Sequence, residues 1–345
     1  MPDKENILGM TLDDILLITR KSGMPEYTSR QIADWLYKKK SAVFDEMSNL
    51  PKVARQLLEE KFYIDLNSPS DNQVSLDGTK KYLFRVRDGR FIESVYIPEP
   101  GRSTLCMSSQ VGCKMGCVFC MTGKQGFHGN LTSGEILNQI LSLPERDNLT
   151  NYVFMGMGEP LANTENVLKS LEIMTSSYGL GISPSRITVS TIGILPGLEK
   201  FLNLSRCHLA ISLHSPFESE RLELIPIEKV FPIKRVVDFL KANSLHRQRR
   251  ISFEYIMFSG INDTARHING LTRLLNGLRC RINLIRYHQI PQVSLEPSDD
   301  DTIKWFMSRL NEKGLLTTLR SSRGVDIFAA CGMLSTARQQ ITGMS

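Results

Sequence analysis

The chain has 345 residues, of which 41 % are hydrophobic and 23 % are charged, and its formal net charge is +6. The length permits a large core and two or three domains, and the composition is ordinary for a soluble globular protein. No apolar run reaches 18 residues, and the first residues lack the basic start and apolar centre of a signal peptide. Seven cysteines, with three of them crowded together, fit a reducing compartment better than a disulfide framework. We therefore expect a cytoplasmic protein without membrane contact.

Residues 1–65 are predicted to form a small helical accessory domain. An amphipathic pattern begins after Thr11, and Thr28-Ser29-Arg30-Gln31 predicts a capping box ahead of a second one. Pro51 is expected to start a third helix. Three short helices with basic ends could dock RNA, but they could equally cover the main domain, and the pattern does not separate the two.

Residues 66–100 have the pattern of a β-ribbon connector between this unit and the rest of the chain. Alternating runs at 81–86 and 91–97 are joined by Arg87-Asp88-Gly89-Arg90, and Asp-Gly between such runs is a strong hairpin signal. Glu93 is the one carboxylate within the second run. It is either a functional group or a strand residue that faces water, and the pattern supports both equally.

Three thiols follow at the spacing C-x-x-x-C-x-x-C: Cys113, Cys117 and Cys120. Structural zinc uses four ligands, usually as two separated pairs, whereas a 4Fe-4S cluster held by three thiolates leaves its fourth iron open. The expected ligand of that iron is S-adenosylmethionine, and the expected chemistry is that of a carbon radical. A capping box at Thr132 predicts a helix after the cluster loop. A zinc knuckle or a chance group of core cysteines remains the alternative.

From residue 101 to the end, apolar strand-like runs alternate with helical patterns. Strands are predicted at 152–155, 186–190, 208–213, 251–257, 281–286 and 315–319, and helices at 164–177, 196–204, 232–243, 263–277 and 299–313. Repeated strand-helix units predict parallel strands with right-handed crossovers. Six such units fit an α/β fold, an incomplete parallel (β/α)6 barrel whose chemistry gathers at the carboxyl ends of its strands.

Polar residues follow several of the predicted strands. In Gly156-Met157-Gly158-Glu159 the glycines would let a ligand approach the backbone, and Glu159 could bind its ammonium group. Other strand ends carry Ser190, Ser212-Leu213-His214 and His288. Each signal is weak by itself, since a histidine at a strand end is more often structural. Together, these strand ends predict one binding site at the mouth of the barrel.

These residues resemble the RlmN/Cfr family of radical S-adenosylmethionine RNA methyltransferases. The matching segments run nearly from end to end: residues 93–98, 104–106, 108–113, the thiol triplet, 155–163, 212–214, 225–227, 283–285 and 323–332. The combination is far more specific than the triplet alone. It implies a radical S-adenosylmethionine barrel, a 4Fe-4S cluster on three cysteines, and two S-adenosylmethionine molecules in each turnover.

The resemblance also implies roles for individual residues. Cys331 would take a methyl group by nucleophilic displacement, Cys106 would resolve a later protein–RNA adduct through a disulfide with Cys331, and Glu93 would accept a proton. The implied S-adenosylmethionine contacts are Gly158, Glu159, Ser190, Ser212, Leu213, His214 and His288, the last standing where the family typically has Asn. For both cysteines the alternative is a buried core thiol. The small residues around Cys331 argue against it there.

The implied substrate is an adenosine in the peptidyl-transferase region of 23S rRNA, methylated at carbon 2. Some members of the family also modify the adenosine 3′ of the tRNA anticodon, and Cfr-like members methylate carbon 8 of the rRNA base. Pro160 favours carbon 2, whereas residues 191–194 and 285–287 favour carbon 8. The implied partners are these RNAs and a reductase of flavodoxin or ferredoxin type, and we expect a monomer. A non-catalytic iron-sulfur or zinc RNA-binding protein and a radical enzyme acting on a small metabolite are the competing hypotheses.

Overall fold

The computed structural model describes residues 4–243 and 249–336. Helices dominate its first 61 residues, six strands follow, and from residue 121 onward helices and strands are interspersed. The helices are α1 (Leu12–Lys21), α2 (Tyr27–Ala33), α3 (Lys52–Lys61), α4 (Met121–Gln125), α5 (Ser133–Leu141), α6 (Thr164–Thr175), α7 (Leu195–Leu204), α8 (Glu218–Leu224), α9 (Ile233–Ala242), α10 (Ala265–Leu275) and α11 (Asp300–Glu312). The strands are β1 (Glu5–Asn6), β2 (Phe62–Tyr63), β3 (Asp71–Val74), β4 (Lys80–Arg85), β5 (Phe91–Glu99), β6 (Arg102–Cys106), β7 (Gln110–Gly112), β8 (Phe127–Asn130), β9 (Asn151–Phe154), β10 (Ile187–Thr191), β11 (His208–Ser212), β12 (Ile251–Met257), β13 (Arg281–Arg286) and β14 (Thr317–Leu319).

The first helices begin in two different ways. Helix α1 is capped as its sequence indicates, because the Thr11 hydroxyl accepts the Asp14 amide and the Asp14 carboxylate accepts the Thr11 amide. The capping box predicted at Thr28 is wrong, since α2 already begins at Tyr27 and has no side-chain cap. The helix begins two residues earlier than a cap at Thr28 would place it, and the Ser29 hydroxyl donates to the Glu26 carbonyl instead.

Gly9 and Gly134 bring the N-terminal helices and the barrel into direct backbone contact. Gly9 has φ of +90°, and a Cβ added there would lie 2.2 Å from the Gly134 amide nitrogen. The Ser133 hydroxyl donates to the Gly9 carbonyl at 2.7 Å. The capping box at Thr132, which the sequence predicts, starts α5 at this point of contact.

Strands β4 and β5 form the predicted antiparallel hairpin, but the hairpin does not stand apart from the barrel. Strand β5 also pairs with β6, and β6 pairs in parallel with β9. Within the described residues the result is one ten-stranded sheet in the order β14-β13-β12-β11-β10-β9-β6-β5-β4-β3. The ribbon therefore continues the barrel wall.

The barrel is built from β6 and from β9 to β14, which run parallel. Strands β9 to β14 and helices α6, α7, α9, α10 and α11 lie at nearly the residues predicted from sequence, and the predicted fold is confirmed. Strand β6, which ends at Cys106, is missing from the predicted set of parallel strands, as is helix α8 from the helices. Along β12 every residue is buried, as expected for a parallel strand covered on both faces. No helix in the described part of the chain is long and apolar enough to cross a lipid bilayer.

Candidate active site

The three clustered thiols line a single cavity of about 150 Å³ at the mouth of the barrel. Cys113 follows β7, and Cys120 directly precedes α4. The loop is held closed because the Cys113 amide donates to the Gly126 carbonyl at 2.9 Å. Gly112 is required there, since it has φ of +72° and an added Cβ would meet the Gly126 carbonyl oxygen at 1.8 Å. The conformation of the loop therefore requires glycine at residue 112, next to the first thiol.

The chemistry of these thiols fits a 4Fe-4S cluster. Burial raises the pKa of Cys113 to about 12, and it also raises the pKa of Cys117 and Cys120. Cys120 adds to the rise at both Cys113 and Cys117, and Cys113 adds to the rise at Cys117. Thiols in this setting ionise only when a cation binds them. No set of three His, Cys, Asp or Glu side chains among the described residues is arranged to hold a single metal ion. A cluster binds each thiolate at a separate iron, and these three would hold it.

The strand-end residues converge on the thiol cavity as the barrel rule predicts. Gly158, Glu159, Ser190, Ser212 and His214 line it together with the three cysteines. Leu213 does not line it: its side chain is fully buried and its amide donates to the Glu254 carbonyl at 3.0 Å. The cavity is therefore lined by polar strand-end groups as well as by the three sulfurs.

Glu159, which lines this cavity, ties two loops together. One carboxylate oxygen accepts the Leu161 amide and the other accepts the Ile192 amide, both at 3.0 Å. Burial raises the pKa of Glu159 to about 7, although the Thr191 hydroxyl and the two amides oppose the rise. The carboxylate thus positions the loops after β9 and β10, besides any contact with a ligand.

The glycines before Glu159 are required by the protein's own packing. Gly158 has φ of +98°, and a Cβ there would lie 2.5 Å from the Gln110 Cβ. At Gly156 a Cβ would lie 2.7 Å from the Met107 carbonyl oxygen. The protein's own packing therefore already requires glycine at these two positions, whether or not a ligand approaches the backbone there.

His214 is held in one orientation and one tautomer. Its Nδ1 accepts the Ile256 amide at 3.0 Å, so the neutral ring carries its proton on Nε2. Burial, and then Arg221, lower the pKa of His214 to about 3. The ring meets Phe119 edge to face with centroids 4.8 Å apart. His214 is a neutral side chain packed against the cluster loop.

Cys331 lies where the thiol cavity meets a second cavity of about 280 Å³. The second, lateral cavity opens between β6 and β14, the two edges of the parallel barrel strands, and His288 lines it but not the thiol cavity. His288 Nε2 is 2.8 Å from the Ser322 hydroxyl. The predicted contact of His288 with the cofactor therefore gains no support from its position.

The loop that carries Cys331 is fastened on both sides. On one side, Asp326 accepts the Ser75 hydroxyl at 2.6 Å and the Leu76 amide at 3.1 Å, and Asp77 accepts the Gly324 amide at 3.0 Å. On the other side, the Met121 amide donates to the Gly332 carbonyl at 2.8 Å. We call the contacts between the β3–β4 turn and residues 324–326 the clasp. They bring Cys331 close enough to Cys120 for its charge to raise the pKa of that thiol.

Cys106 lies at the end of β6, buried and near Cys331. Burial raises the pKa of Cys106 to about 12, the proximity of Cys331 adds to the rise, and Arg320 opposes it. Both cysteines are free thiols, as are the other cysteines of the chain. The structure thus brings together two thiols that are 225 positions apart in the sequence.

Glu93 faces a different cavity, behind the same loop. Its carboxylate is 3.1 Å from the Lys81 ammonium and accepts the Ser335 amide at 2.9 Å. Burial raises the pKa of Glu93, and Lys81 opposes the rise. Ser335 is four residues after Cys331, so at most roughly 14 Å of extended chain separates them. Glu93 is not in the thiol cavity, but it contacts the segment that carries Cys331.

Two charged residues of the site give no signal in the sequence. Arg221 is fully buried, forms an ion pair with Glu228, and donates to the carbonyls of Leu213, Ile192 and Ser212 at 2.9–3.0 Å. It stands in a charged run that resembles an exposed helix. Arg320, between Cys106 and Glu254, lines both the thiol cavity and the lateral one. Only the folded chain reveals their surroundings.

The fold and the thiol loop define the class of protein. The model of the radical SAM superfamily matches residues 107–269, which include all three thiols of the cavity. A solved radical SAM methyltransferase from Sphaerobacter thermophilus superposes with a TM-score of 0.87 at 36 % identity, over 96 % of this chain and 99 % of that one. The protein is therefore a radical SAM enzyme, a class that uses S-adenosylmethionine and a 4Fe-4S cluster.

The family within this class follows from the N-terminal helices and from relatives of full length. The model of the ribosomal RNA large subunit methyltransferase N-terminal domain matches residues 5–64. The chain is 56 % identical to a probable dual-specificity RNA methyltransferase RlmN of Parabacteroides distasonis over 98 % of each chain. It is 42 % identical to the dual-specificity RNA methyltransferase RlmN of Syntrophus aciditrophicus over 96 % of each. The chain belongs to the RlmN family of radical SAM RNA methyltransferases.

Proposed function

We propose that this enzyme methylates carbon 2 of adenosine in two RNAs, 23S rRNA and tRNA, through a methyl group carried on Cys331. The observation that supports the proposal is the position of Cys331, which lines the thiol cavity and lies near Cys106. Carbon 2 of adenine is electron-poor and does not attack a sulfonium methyl group. A methyl radical equivalent held on a protein sulfur avoids this difficulty.

Cys113, Cys117 and Cys120 would hold the cluster, and Ser190, Ser212 and His214 would line the S-adenosylmethionine site above it. A 4Fe-4S cluster with an open iron supplies the electron that splits S-adenosylmethionine into methionine and a 5′-deoxyadenosyl radical. The buried walls of the cavity keep water from that radical. A reductase of flavodoxin or ferredoxin type delivers the electron from outside. The enzyme acts in the cytoplasm as a monomer.

Cys331 begins the reaction as a nucleophile. Its sulfur attacks the methyl carbon of a first S-adenosylmethionine, so that a sulfur–carbon bond forms while the sulfonium–methyl bond breaks and S-adenosylhomocysteine leaves. The 5′-deoxyadenosyl radical from a second S-adenosylmethionine would take a hydrogen atom from the sulfur-bound methyl group and leave as 5′-deoxyadenosine. The resulting carbon joins adenine carbon 2, which links protein and RNA.

Cys106 and Glu93 complete the reaction in this proposal. Glu93 accepts the proton lost from carbon 2, and Lys81 at 3.1 Å favours its ionised form. Cys106 attacks the Cys331 sulfur, which breaks the sulfur–carbon bond to the RNA and forms a disulfide. The released methylene carbon takes up a proton to become the methyl group, and the one electron that leaves the adduct would return to the cluster. Cellular thiols reduce the disulfide before the next turnover.

Mass analysis of nucleosides tests the proposal. The RNA of a strain that lacks the gene should contain no 2-methyladenosine at the rRNA and tRNA sites, and the wild-type gene should restore it. Cys331→Ala should restore none, whereas Cys280→Ala, a half-buried thiol outside the site, should restore it fully. Restoration of 8-methyladenosine instead would contradict carbon-2 specificity. Unchanged RNA in the deletion strain would contradict the proposed function altogether.

A further inference from the structure

Three arginines meet at the end of the barrel opposite the thiol loop. Arg102 is the first residue of β6, Arg281 is the first residue of β13, and Arg250 directly precedes β12. All three therefore lie at the amino ends of parallel strands, and they line one cavity of about 260 Å³. Cys106 lies at the carboxyl end of β6, and the three clustered thiols follow by way of β7, so the barrel has a sulfur-rich end and an arginine-rich end.

The carboxylate that lines this cavity, Glu254, does not neutralise the three arginines. One of its oxygens accepts the Ser252 hydroxyl at 2.9 Å and the Asn283 side-chain Nδ2 at 2.8 Å, and the other faces Arg320 at 3.3 Å. Within the described residues, neither Arg250 nor Arg281 has an ion-pair partner. Arg102 has one long contact, to Glu99 at 4.0 Å.

The arginines act on one another and on the histidine beside them. The pKa of Arg250 is lowered by burial and then by Arg281 and Arg102. Burial, followed by Arg250, Arg249 and Arg281, lowers the pKa of His208 to about 4. The His208 Nδ1 accepts the Arg250 amide at 3.0 Å, which leaves its proton on Nε2. This gathering of positive charge is unfavourable without an anion and favourable with one.

We propose that Arg102, Arg250 and Arg281 bind a backbone phosphate of the RNA substrate. The inference rests on the proposed function and adds to it a site that holds the RNA while its base reaches the cluster. Guanidinium groups match the oxygens of a phosphate by paired hydrogen bonds. Such a contact fixes position and reads no sequence, which suits an enzyme with two RNA substrates of different sequence.

The geometry of the barrel connects this phosphate site to the reacting base. Met155, Glu254 and Arg320 line both the arginine cavity and the thiol cavity. A strand of five residues, such as β6, spans on the order of 16 Å, since each residue rises ~3.3 Å. A base at the thiols and a phosphate at the arginines can therefore belong to one short stretch of a splayed-out RNA strand.

Binding measured at several salt concentrations tests the inference. The probe is a fluorescent RNA hairpin with the target adenosine, bound to cluster-loaded enzyme under anaerobic conditions. Arg250→Ala and Arg281→Ala should each weaken binding about tenfold, and the slope of log Kd against log salt should fall by roughly 0.7 to 1 for each phosphate that the variant no longer binds. The matched control is Arg235→Ala, an exposed arginine on α9, which should change neither quantity.

A neutral backbone linkage locates the phosphate. In a series of hairpins that each carry one methylphosphonate, one position near the target should weaken binding to the wild type about tenfold. The same substitution should have no effect on the triple variant Arg102→Ala/Arg250→Ala/Arg281→Ala. If the methylphosphonate weakens binding to the triple variant as much as it weakens binding to the wild type at every position, the arginines contact none of these phosphates. That result would overturn the inference.

Two further results keep this inference separate from the proposed function. If the wild type methylates RNA but the arginine variants keep its Kd and salt slope, the phosphate site is wrong and the proposed function stands. If millimolar inorganic phosphate raises the melting temperature of the wild type but does not compete with the hairpin, the site binds free phosphate and the inference is overturned. A wild type that makes no 2-methyladenosine in the hairpin contradicts the proposed function itself.

Discussion

Arg221 shows how a single buried charge can organise a site without touching its chemistry. Its guanidinium ties the carbonyls at the ends of β10 and β11 to Glu228, which in turn accepts the Ile233 amide at 2.9 Å. Burial lowers the pKa of Arg221 to about 10, and the neighbouring Cys117 opposes the fall. The residue therefore holds the loops after β10 and β11, which border the thiol cavity, in register.

Replacing Arg221 should destabilise the whole protein. Arg221→Met leaves Glu228 as an unpaired buried carboxylate and should lower the free energy of unfolding by about 3–5 kcal/mol. Urea denaturation of the cluster-free protein, followed by circular dichroism, measures the loss. Arg221→Met/Glu228→Gln removes the unpaired charge and should recover part of it. A loss below about 1 kcal/mol in the single variant would contradict this account.

Cys106→Ala tests the chemistry at the same scale. Without a thiol to attack Cys331, the adduct should persist, and the variant should be isolated covalently attached to RNA. Nuclease digestion followed by mass analysis of the protein measures the attached nucleotide. Cys207→Ala, which removes another buried thiol outside the site, should be isolated free of RNA. Recovery of Cys106→Ala free of RNA would count against the role of Cys106.

At the scale of the element, the clasp decides where Cys331 lies. Burial alone would raise the pKa of Asp77, but hydrogen bonds from Thr79 and Gly324 lower it to about 2. Because the folded pKa lies below the ordinary value of 3.8, Asp77 stabilises the fold above pH 4. That stabilisation is lost as the pH falls from 4 through 2.

Asp77→Asn should therefore loosen the clasp in a pH-dependent way. At pH 7 the variant should be less stable by about 1 kcal/mol, a value reduced because the carboxylate is partly exposed to solvent. The unfolding free energies of Asp77→Asn and the wild type, measured between pH 7 and 3, should converge as the pH falls. Asp45→Asn removes an exposed carboxylate elsewhere and should give a small difference across this range. A difference in unfolding free energy between Asp77→Asn and the wild type that does not change with pH would contradict the stabilising role given to the ionised Asp77.

The elements of this fold differ in how well they can be predicted from the sequence. Strands β9 to β14 could be predicted because buried parallel strands between amphipathic helices have a strong period, and their order then brings Ser190, Ser212 and His214 to one mouth. Strand β6 is short and follows a hairpin, so its pattern merges with that of the ribbon. The clasp, Arg221 and the position of Glu93 behind the loop depend on contacts between distant segments, which periodicity does not contain.

At the scale of the molecule, Gly9 offers a test of how the N-terminal helices dock. Gly9→Ala and Gly23→Ala both put a side chain on a residue with positive φ, but only Gly9 has atoms within 4 Å of the new Cβ. Gly23→Ala should cost about 1 kcal/mol of unfolding free energy. Gly9→Ala should cost about 2–4 kcal/mol, because the clash with Gly134 adds to the strain. Urea denaturation measures both unfolding free energies. Equal losses would mean that the backbone at Gly9 and Gly134 moves apart at no measurable cost in stability.

The clasp also orders events during synthesis of the chain. Ser75 and Asp326 are 251 positions apart, so at ~5–20 residues per second the ribosome makes the second on the order of 10–50 seconds after the first. All three thiols of the cluster loop emerge well before Cys331. If Cys331 is the methyl acceptor as proposed, a chain whose synthesis stops before residue 331 has no methyl acceptor, and the growing protein cannot link itself to RNA before that residue has been made.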